Sequence, residues 1–324
     1  MAVRIGFIGT GGIAKAHFDT LEQIEGAQPV AFCDVSTEAA ESAARRFEGR
    51  AYSDPRKMLE AETLDAVYVC VPPHAHGAEI LAAQKGCAVF IEKPVSNSMK
   101  AAEKIAAAIE SAGVISSVGY HYRYYGSTER MQKIFAAKGA AQPEMSYGYW
   151  IGGFPGVPWW RNMDQSGGQL NEQATHIIDV ARYLMGDIKK VYCAASQRAM
   201  HKQYPDSTVP DVTALTVEYQ SGAVGTFSTS CLLGGLNFMG LDLLAHNARY
   251  ELRPGSLQIQ NQNGETSIFA GGPNAYLEED RAFIKAVKTG KRLGIRSTYA
   301  DALKTQAVTM AANQSARTGK AVTL

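Results

Sequence analysis

Ala88-Val89-Phe90-Ile91-Glu92-Lys93-Pro94 is the stretch on which the reading of this chain turns. Val89-Phe90-Ile91 is apolar, β-branched and aromatic, as a strand covered on both faces requires. Pro94 has no N–H with which to continue a ladder, so the strand ends and the chain turns. Glu92 and Lys93 are thereby left at the carboxyl end of a strand, the end at which open α/β sheets bind ligands.

Upstream, strand and helix signals alternate, the pattern of a parallel, doubly wound sheet. Spacing predicts strands at Val3–Ile8, Pro29–Cys33, Ala66–Val71 and Val114–Val118, with helices at Ile13–Leu21, Thr37–Phe47, Ala78–Lys85 and Ser98–Ser111. Directly after the first strand comes Gly9-Thr10-Gly11-Gly12-Ile13-Ala14, a G-x-G-x-x-G/A pattern. The first glycine permits a tight turn, the second lets backbone approach a pyrophosphate, and the small third residue lets the helix pack close to the sheet. The N–H groups of that helix then face the phosphates. Alone, such a motif is no more than a turn; its context gives it meaning. The second strand ends in Asp34, about twenty residues after Ala14, where an acid meets the adenine-ribose hydroxyls. The other reading of Asp34 is a helix cap. A carboxylate here repels a 2′-phosphate, and neither Val35 nor Ser36 is an arginine to hold one, so NAD is expected rather than NADP.

The strand at Ala66–Val71 runs into Pro72-Pro73-His74-Ala75-His76. Two histidines at i, i+2 without a Cys or carboxylate cluster do not make a zinc set, so a loop lining the nicotinamide half of the cofactor is expected and no metal. Gly119-Tyr120-His121-Tyr122-Arg123-Tyr124-Tyr125 marks the exit from this region, and its aromatic density points to a crevice lining in which Tyr122 and Arg123 meet substrate. The domains expected are 1–120 for the nucleotide and 121–324 for the substrate.

After a helix at Ser127–Lys138 the pattern changes to strand-like runs at Ile188–Arg198, Val212–Tyr219, Ala223–Ser230 and Asn237–His246, with shorter candidates at Arg249–Leu252 and Ser256–Ile259. Ser221-Gly222 and Asn263-Gly264 are hairpin turns. The fold class is therefore α/β: a Rossmann doubly wound sheet, then an α+β domain with a large open, mainly antiparallel sheet. Its open face calls for helices or a second subunit as cover. Before these strands lie Trp159-Trp160-Arg161 and Ser166-Gly167-Gly168-Gln169-Leu170-Asn171-Glu172-Gln173-Ala174-Thr175-His176-Ile177-Ile178-Asp179. Leu170 to Leu184 has a helical period, with Glu172, His176 and Asp179 sharing a face opposite the apolar one. Such a stripe is a solvated face or a site; the double glycine, which permits close approach of a ligand, favours the site.

The net charge of +1 on 324 residues gives no electrostatic case for nucleic acid or an anionic membrane as partner. No apolar run approaches the ~20 residues of a membrane helix. Five cysteines, odd in number and without a Cys-x-x-Cys, suit small buried residues in a reducing cytoplasm. With a strand pattern starting at Val3 and no signal region before it, a cytoplasmic location is expected.

Together these segments resemble the Gfo/Idh/MocA family, named for glucose–fructose oxidoreductase and inositol dehydrogenase. The resemblance is carried by Gly9–Ala14, Val71–His76, Glu92-Lys93-Pro94, Gly167-Gly168…His176-Ile177-Ile178-Asp179 and Ser315-Ala316-Arg317-Thr318-Gly319-Lys320, and spans nearly the whole chain. It implies a NAD(P)-dependent oxidoreductase of sugars, polyols or related compounds, often oligomeric. It implies that Lys93 and His176 sit at the reacting carbon, and that the aspartate of the family's Asp-x-Gly-x-His falls on Glu172, a longer carboxylate in a sequence lacking that glycine. By the same resemblance, Pro72, Pro73, His76, Glu92, Trp160 and Arg161 join Gly9, Thr10, Gly11, Gly12, Ile13 and Asp34 as expected cofactor contacts. Trp159 and Asn162 join Tyr122 and Arg123 toward the substrate. The expected activity is oxidation or reduction of a secondary alcohol or carbonyl on a sugar-like molecule by a homodimer or homotetramer. A redox-neutral NAD-using glycosidase and a cofactor-bound regulator without turnover are the alternatives; retention of both Lys93 and His176 speaks against the regulator.

Overall fold

The computed structural model describes residues 2–324. The nucleotide half follows the expected alternation: β1 (Val3–Ile8), α1 (Gly12–Leu21), β2 (Ala27–Cys33), α2 (Thr37–Phe47), β3 (Arg50–Tyr52), α3 (Pro55–Ala61), β4 (Ala66–Val69), α4 (Ala78–Gln84), β5 (Ala88–Ile91), α5 (Met99–Ala112) and β6 (Ser116–Val118). These six strands pair in parallel in the order β3-β2-β1-β4-β5-β6. Every residue of β4 and β5 is buried, which is why both read as unbroken apolar runs and not as alternations. The order reverses between β1 and β4, so the crevice at the carboxyl ends opens beside Gly9.

The chain continues through α6 (Gly126–Phe135), β7 (Pro143–Ile151), α7 (Met163–Ser166), α8 (Gly168–Glu172) and α9 (Thr175–Met185). Then come β8 (Ile188–Ser196), β9 (Val212–Tyr219), β10 (Val224–Ser230), β11 (Phe238–Ala245), β12 (Ala248–Arg253), β13 (Ser256–Asn261) and β14 (Thr266–Ala270). Two helices, α10 (Ala275–Thr289) and α11 (Tyr299–Thr318), and a short β15 (Val322–Thr323) close the chain. The nine later strands form one sheet, β14-β13-β12-β11-β7-β10-β9-β8-β15, antiparallel except where β7 meets β10. One face is packed: Ile177, Ile178 and Ala181 of α9 and Val308 and Ala312 of α11 meet Leu215, Val217, Phe227, Leu241 and Leu243 in a single cluster. On the other face Tyr147 and Tyr192 remain 45% and 47% exposed, beside exposed Met145 and Val224.

The structure adds one central strand and corrects two expectations. The central strand β7 gave no recognisable pattern because its inward positions are Ser146 and Gly148 while Met145 and Tyr147 point outward, an inversion of the usual alternation. A Cβ on Gly148 would lie 2.4 Å from Phe227 and 2.7 Å from Ile177, so close packing of α9 and β10 excludes a larger residue. The single helix expected over Leu170–Leu184 is two helices, α8 and α9, separated at Gln173 and Ala174. The expected cut at residues 120 and 121 is also too simple. The first unit runs to His121 and takes back Asn274–Leu303; the second holds Tyr122–Pro273 and Lys304–Leu324. Helix α10 therefore packs on α1, more than 250 residues upstream, inside the nucleotide unit.

Candidate active site

In the first unit, the turn after β1 is built by Gly9, whose φ of 87° and approach to Cys70 (a Cβ would fall 2.2 Å from its carbonyl oxygen) exclude other residues. Beyond it the backbone is open: among the described residues nothing lies within 4 Å of a Cβ placed on Gly11 or Gly12. Helix α1 starts there with no side-chain cap and no acidic residue in its first turn, leaving N–H groups and the positive end of the helix dipole for an anion. Thr10 and Ile13 flank this cradle. Asp34, at the end of β2, accepts hydrogen bonds from the Thr10 N–H (2.8 Å) and hydroxyl (3.0 Å) and from the Ser36 N–H (2.9 Å). It is not the cap of α2; Ser36 caps that helix. The open glycine turn and the uncapped start of α1 thus fit a dinucleotide.

Lys93 follows β5 at its carboxyl end and is half-buried. Glu92, expected at the cofactor, turns the other way. Its carboxylate is 3% exposed, lies 3.0 Å from His17 Nε2 and accepts the Lys93 backbone N–H at 3.1 Å. Gly119 must be glycine for this, since a Cβ there would lie 2.4 Å from the Glu92 Oε1. On the far side of His17, Nδ1 bonds both oxygens of Asp280 at 3.0 Å, and Asp280 also accepts from the hydroxyls of Thr20 and Tyr68. Burial opposes charge on His17, but Asp280 and Glu92 outweigh it and raise its pKa well above the ordinary value. Glu279 completes the cluster, and burial followed by the Glu92 charge pushes its carboxyl well above the usual range. His121, stacked on Tyr276 at 4.1 Å, is pushed down to about 3 by burial and then by the Lys93 and His17 charges, so it stays neutral.

Pro72 and Pro73 lead into the loop as expected, with Pro73 buried and His74 exposed. His76, expected to face the cofactor, is buried instead, with Nδ1 on the carboxylate of Glu79; Glu79 also accepts the Gly77 N–H at 2.6 Å.

In the second unit His176 lies in the first turn of α9, buried, with its ring parallel to Tyr122 (centroids 4.9 Å, 20°) and to Trp150 (5.9 Å, 24°). Burial, then Tyr125, pushes the Tyr122 phenol up, so Tyr122 is a stacking surface and not an acid near neutral pH. Glu172 ends α8 before the break, so it and His176 belong to different helices. Arg123, expected to line the crevice, is only 1% exposed: its Nε and Nη2 grip the two oxygens of Asp179 at 2.7 and 2.6 Å, and Thr305 donates to the same carboxylate at 2.7 Å. Asp179 is accordingly a structural anchor and not a member of a solvated stripe. Arg161, expected at the cofactor, is committed to its own loop, donating to the carbonyls of Pro155 (2.8 Å) and Gly156 (3.1 Å) and lying 4.2 Å from the Tyr204 ring. Asn162 caps α7 by accepting the Asp164 N–H; Trp159 and Trp160 beside it are half-buried.

The residues missed from sequence are His17, Glu279, Asp280 and Trp150. A signal existed for His17, which shares the i, i+3, i+4, i+7 face of α1 with Ala14, Phe18 and Leu21 and is therefore buried. No local pattern connects Glu279 or Asp280 to it.

Residues 3–120 match the family description "Oxidoreductase family, NAD-binding Rossmann fold", and residues 128–249 match "GFO/IDH/MocA C-terminal domain". A curated relative, myo-inositol 2-dehydrogenase of Thermotoga maritima, is 24% identical over 300 residues, 89% of each chain. D-glucoside 3-dehydrogenase of Escherichia coli is 26% identical, covering 99% of this chain and 97% of the relative. Among solved structures, levoglucosan dehydrogenase in complex with NADH and levoglucosan superposes with a TM-score of 0.89 at 20% identity, covering 100% of this chain and 99% of that one. These relatives are named as dehydrogenases, and no comparison favours the glycosidase or the regulator. The chain belongs to the GFO/IDH/MocA family of oxidoreductases, with an NAD-binding Rossmann fold at its amino end.

Proposed function

We propose that the protein is an NAD-dependent dehydrogenase that oxidises a secondary alcohol of a cyclic polyol or sugar derivative. The observation that carries this reading is Lys93 at the carboxyl end of β5, in a parallel sheet whose switch point carries the open, uncapped glycine turn. Bound NAD⁺ supplies the hydride acceptor; the chain's own residues bind it, orient the alcohol and take the proton. The start of α1 holds the pyrophosphate and Asp34 the ribose, which favours NAD over NADP. Lys93 offers an ammonium or amine to the substrate oxygen. His176, an imidazole on a fixed aromatic support, is the group that takes the proton of the substrate hydroxyl. Tyr122 and Trp150 hold its plane. Trp159 and Asn162 belong to the loop that tells one sugar from another.

A panel of inositols, glucosides and anhydrosugars with NAD⁺, followed by NADH fluorescence, tests the reading. Reduction of NAD⁺ with at least one cyclic polyol or glycoside supports it. NAD binding without NADH from any member, together with release of sugar from a glycoside, overturns it. A homo-oligomer belongs to the same proposal: the exposed face carrying Met145, Tyr147, Tyr192 and Val224 has the aromatic and Met content of an interface. Light scattering at micromolar concentration should give a dimer or tetramer.

A further inference from the structure

We propose that His17, Glu92 and Glu279 form a closed binding site for one divalent transition-metal ion, zinc by preference, behind the Glu92-Lys93-Pro94 turn. One donor atom from each of the three residues lies within 4.8 Å of the others, and all three residues are buried. His17 Nε2 and Glu92 Oε1 are hydrogen-bonded at 3.0 Å, and an ion bound by both would take the place of the Nε2 proton, which is released.

Independent evidence comes from Glu279. Its side chain is 0% exposed, and among the described residues neither carboxylate oxygen has a hydrogen-bond partner. A buried carboxylate in that condition calls for a cation or a proton. Further support comes from Asp280. It accepts from His17 Nδ1 and is itself held by Thr20 and Tyr68, so it fixes the ring with Nε2 directed at Glu92. A carboxylate bonded to the far nitrogen is the usual support of a metal-bound histidine. With Glu279 ionised, three carboxylates would face one imidazole, an excess of negative charge that a dication offsets. One imidazole and two carboxylates suit zinc or manganese better than magnesium or calcium.

The ligands come from three separate elements: α1, whose start forms the nucleotide cradle, the end of β5, which carries Lys93, and α10, which returns from far down the chain. An ion here ties those elements together without touching substrate. It is a structural site, independent of the activity proposed above.

The test uses the full-length chain stripped with a chelator, then titrated separately with Zn²⁺, Mn²⁺ and Co²⁺, with bound metal counted by elemental analysis after gel filtration. The expected result is about one zinc per chain, a visible Co²⁺ absorption band, and a melting temperature that rises with free metal. Glu279→Gln and Asp280→Asn should each weaken binding by about tenfold or more, while NAD binding, followed by fluorescence, persists. Two results overturn the proposal. One is no stoichiometric uptake by the unsubstituted chain at about 1 mM Zn²⁺, far above the free concentration a structural site requires; protons then satisfy the cluster. The other is uptake that survives both Glu279→Gln and His17→Gln, which places the metal elsewhere. The titration of the unsubstituted chain decides even if a variant fails to fold.

Discussion

In the second unit, Arg123 and Asp179 neutralise one another. The guanidinium meets the carboxylate at two points, and Thr305 supplies a third bond. In the first unit Glu92, Asp280 and Glu279 crowd one imidazole, and one of these acids has no hydrogen bond. Each network stands behind a candidate catalytic group. Asp179 lies one turn after His176 on α9, and Arg123 follows Tyr122, which stacks on His176. Glu92 precedes Lys93 and accepts its backbone N–H. A saturated pair has nothing left to bind and serves as scaffold. An over-acidic cluster keeps binding capacity, and only a proton or a cation completes it.

The largest expected effects fall on the two groups these networks support. Lys93→Met and His176→Ala should each lower kcat by about 10²–10⁴-fold, with NAD affinity little changed, measured by steady-state kinetics and cofactor titration. If Lys93→Met instead weakens NAD but spares turnover at saturating cofactor, Lys93 is a cofactor ligand only.

Breaking the saturated pair should cost stability more than activity. Asp179→Ala leaves a buried guanidinium uncompensated and should destabilise by about 3–5 kcal/mol in urea unfolding. Glu279→Gln, in metal-free buffer, replaces a carboxyl that burial and Glu92 hold toward its neutral form with a neutral amide, and should stay within about 1 kcal/mol of the unsubstituted protein or exceed it. Equal losses would abolish the distinction between the two networks.

At the cofactor, Asp34→Ser removes the charge that opposes a 2′-phosphate, and the preference for NAD over NADP should narrow roughly tenfold. Unsubstituted protein that binds NADP as well as NAD would defeat this assignment.

The smallest effect belongs to a half-exposed relative of the Arg123 pair. Burial works against charge on Asp187, but hydrogen bonds from Lys304 (2.7 Å) and Arg182 (2.5 Å) outweigh it and lower its pKa. A depressed carboxylate stabilises the fold above its unfolded pKa of about 3.9 and loses that contribution as pH falls through the folded value. After solvent screening this amounts to less than about 1 kcal/mol. Asp187→Asn should lower stability by that amount at pH 7 and flatten the curve below about pH 4, so that the two proteins converge in acid. A variant curve that keeps the same acid slope would show the pair to be inert.

Much of this was legible because the signals are local. Val89-Phe90-Ile91 before Glu92-Lys93-Pro94 places Lys93 at a strand end, and the structure has β5 stop at Ile91. The turns at Ser221-Gly222 and Asn263-Gly264 do join β9 to β10 and β13 to β14. What escaped notice depended on partners far away. Gly148 and Ser146 look unlike a central strand until Phe227 and Ile177 are seen against them. Arg123 looks like a crevice lining until Asp179, 56 positions on, is found in its grip.

By itself, then, the amino-acid sequence determined the Rossmann half, the nucleotide turn, the position of Lys93 and the antiparallel character of most of the second sheet. Each follows from steric and solvation preferences acting within one turn or one strand, and those are written in residue order. Tertiary structure decided which charges meet. It buried Glu92 on His17, brought Glu279 and Asp280 back on α10, and spent Arg123 on Asp179. Pairing of buried charges is set by the low dielectric of a packed interior and by which elements the fold brings into contact, and neither exists before the chain has folded.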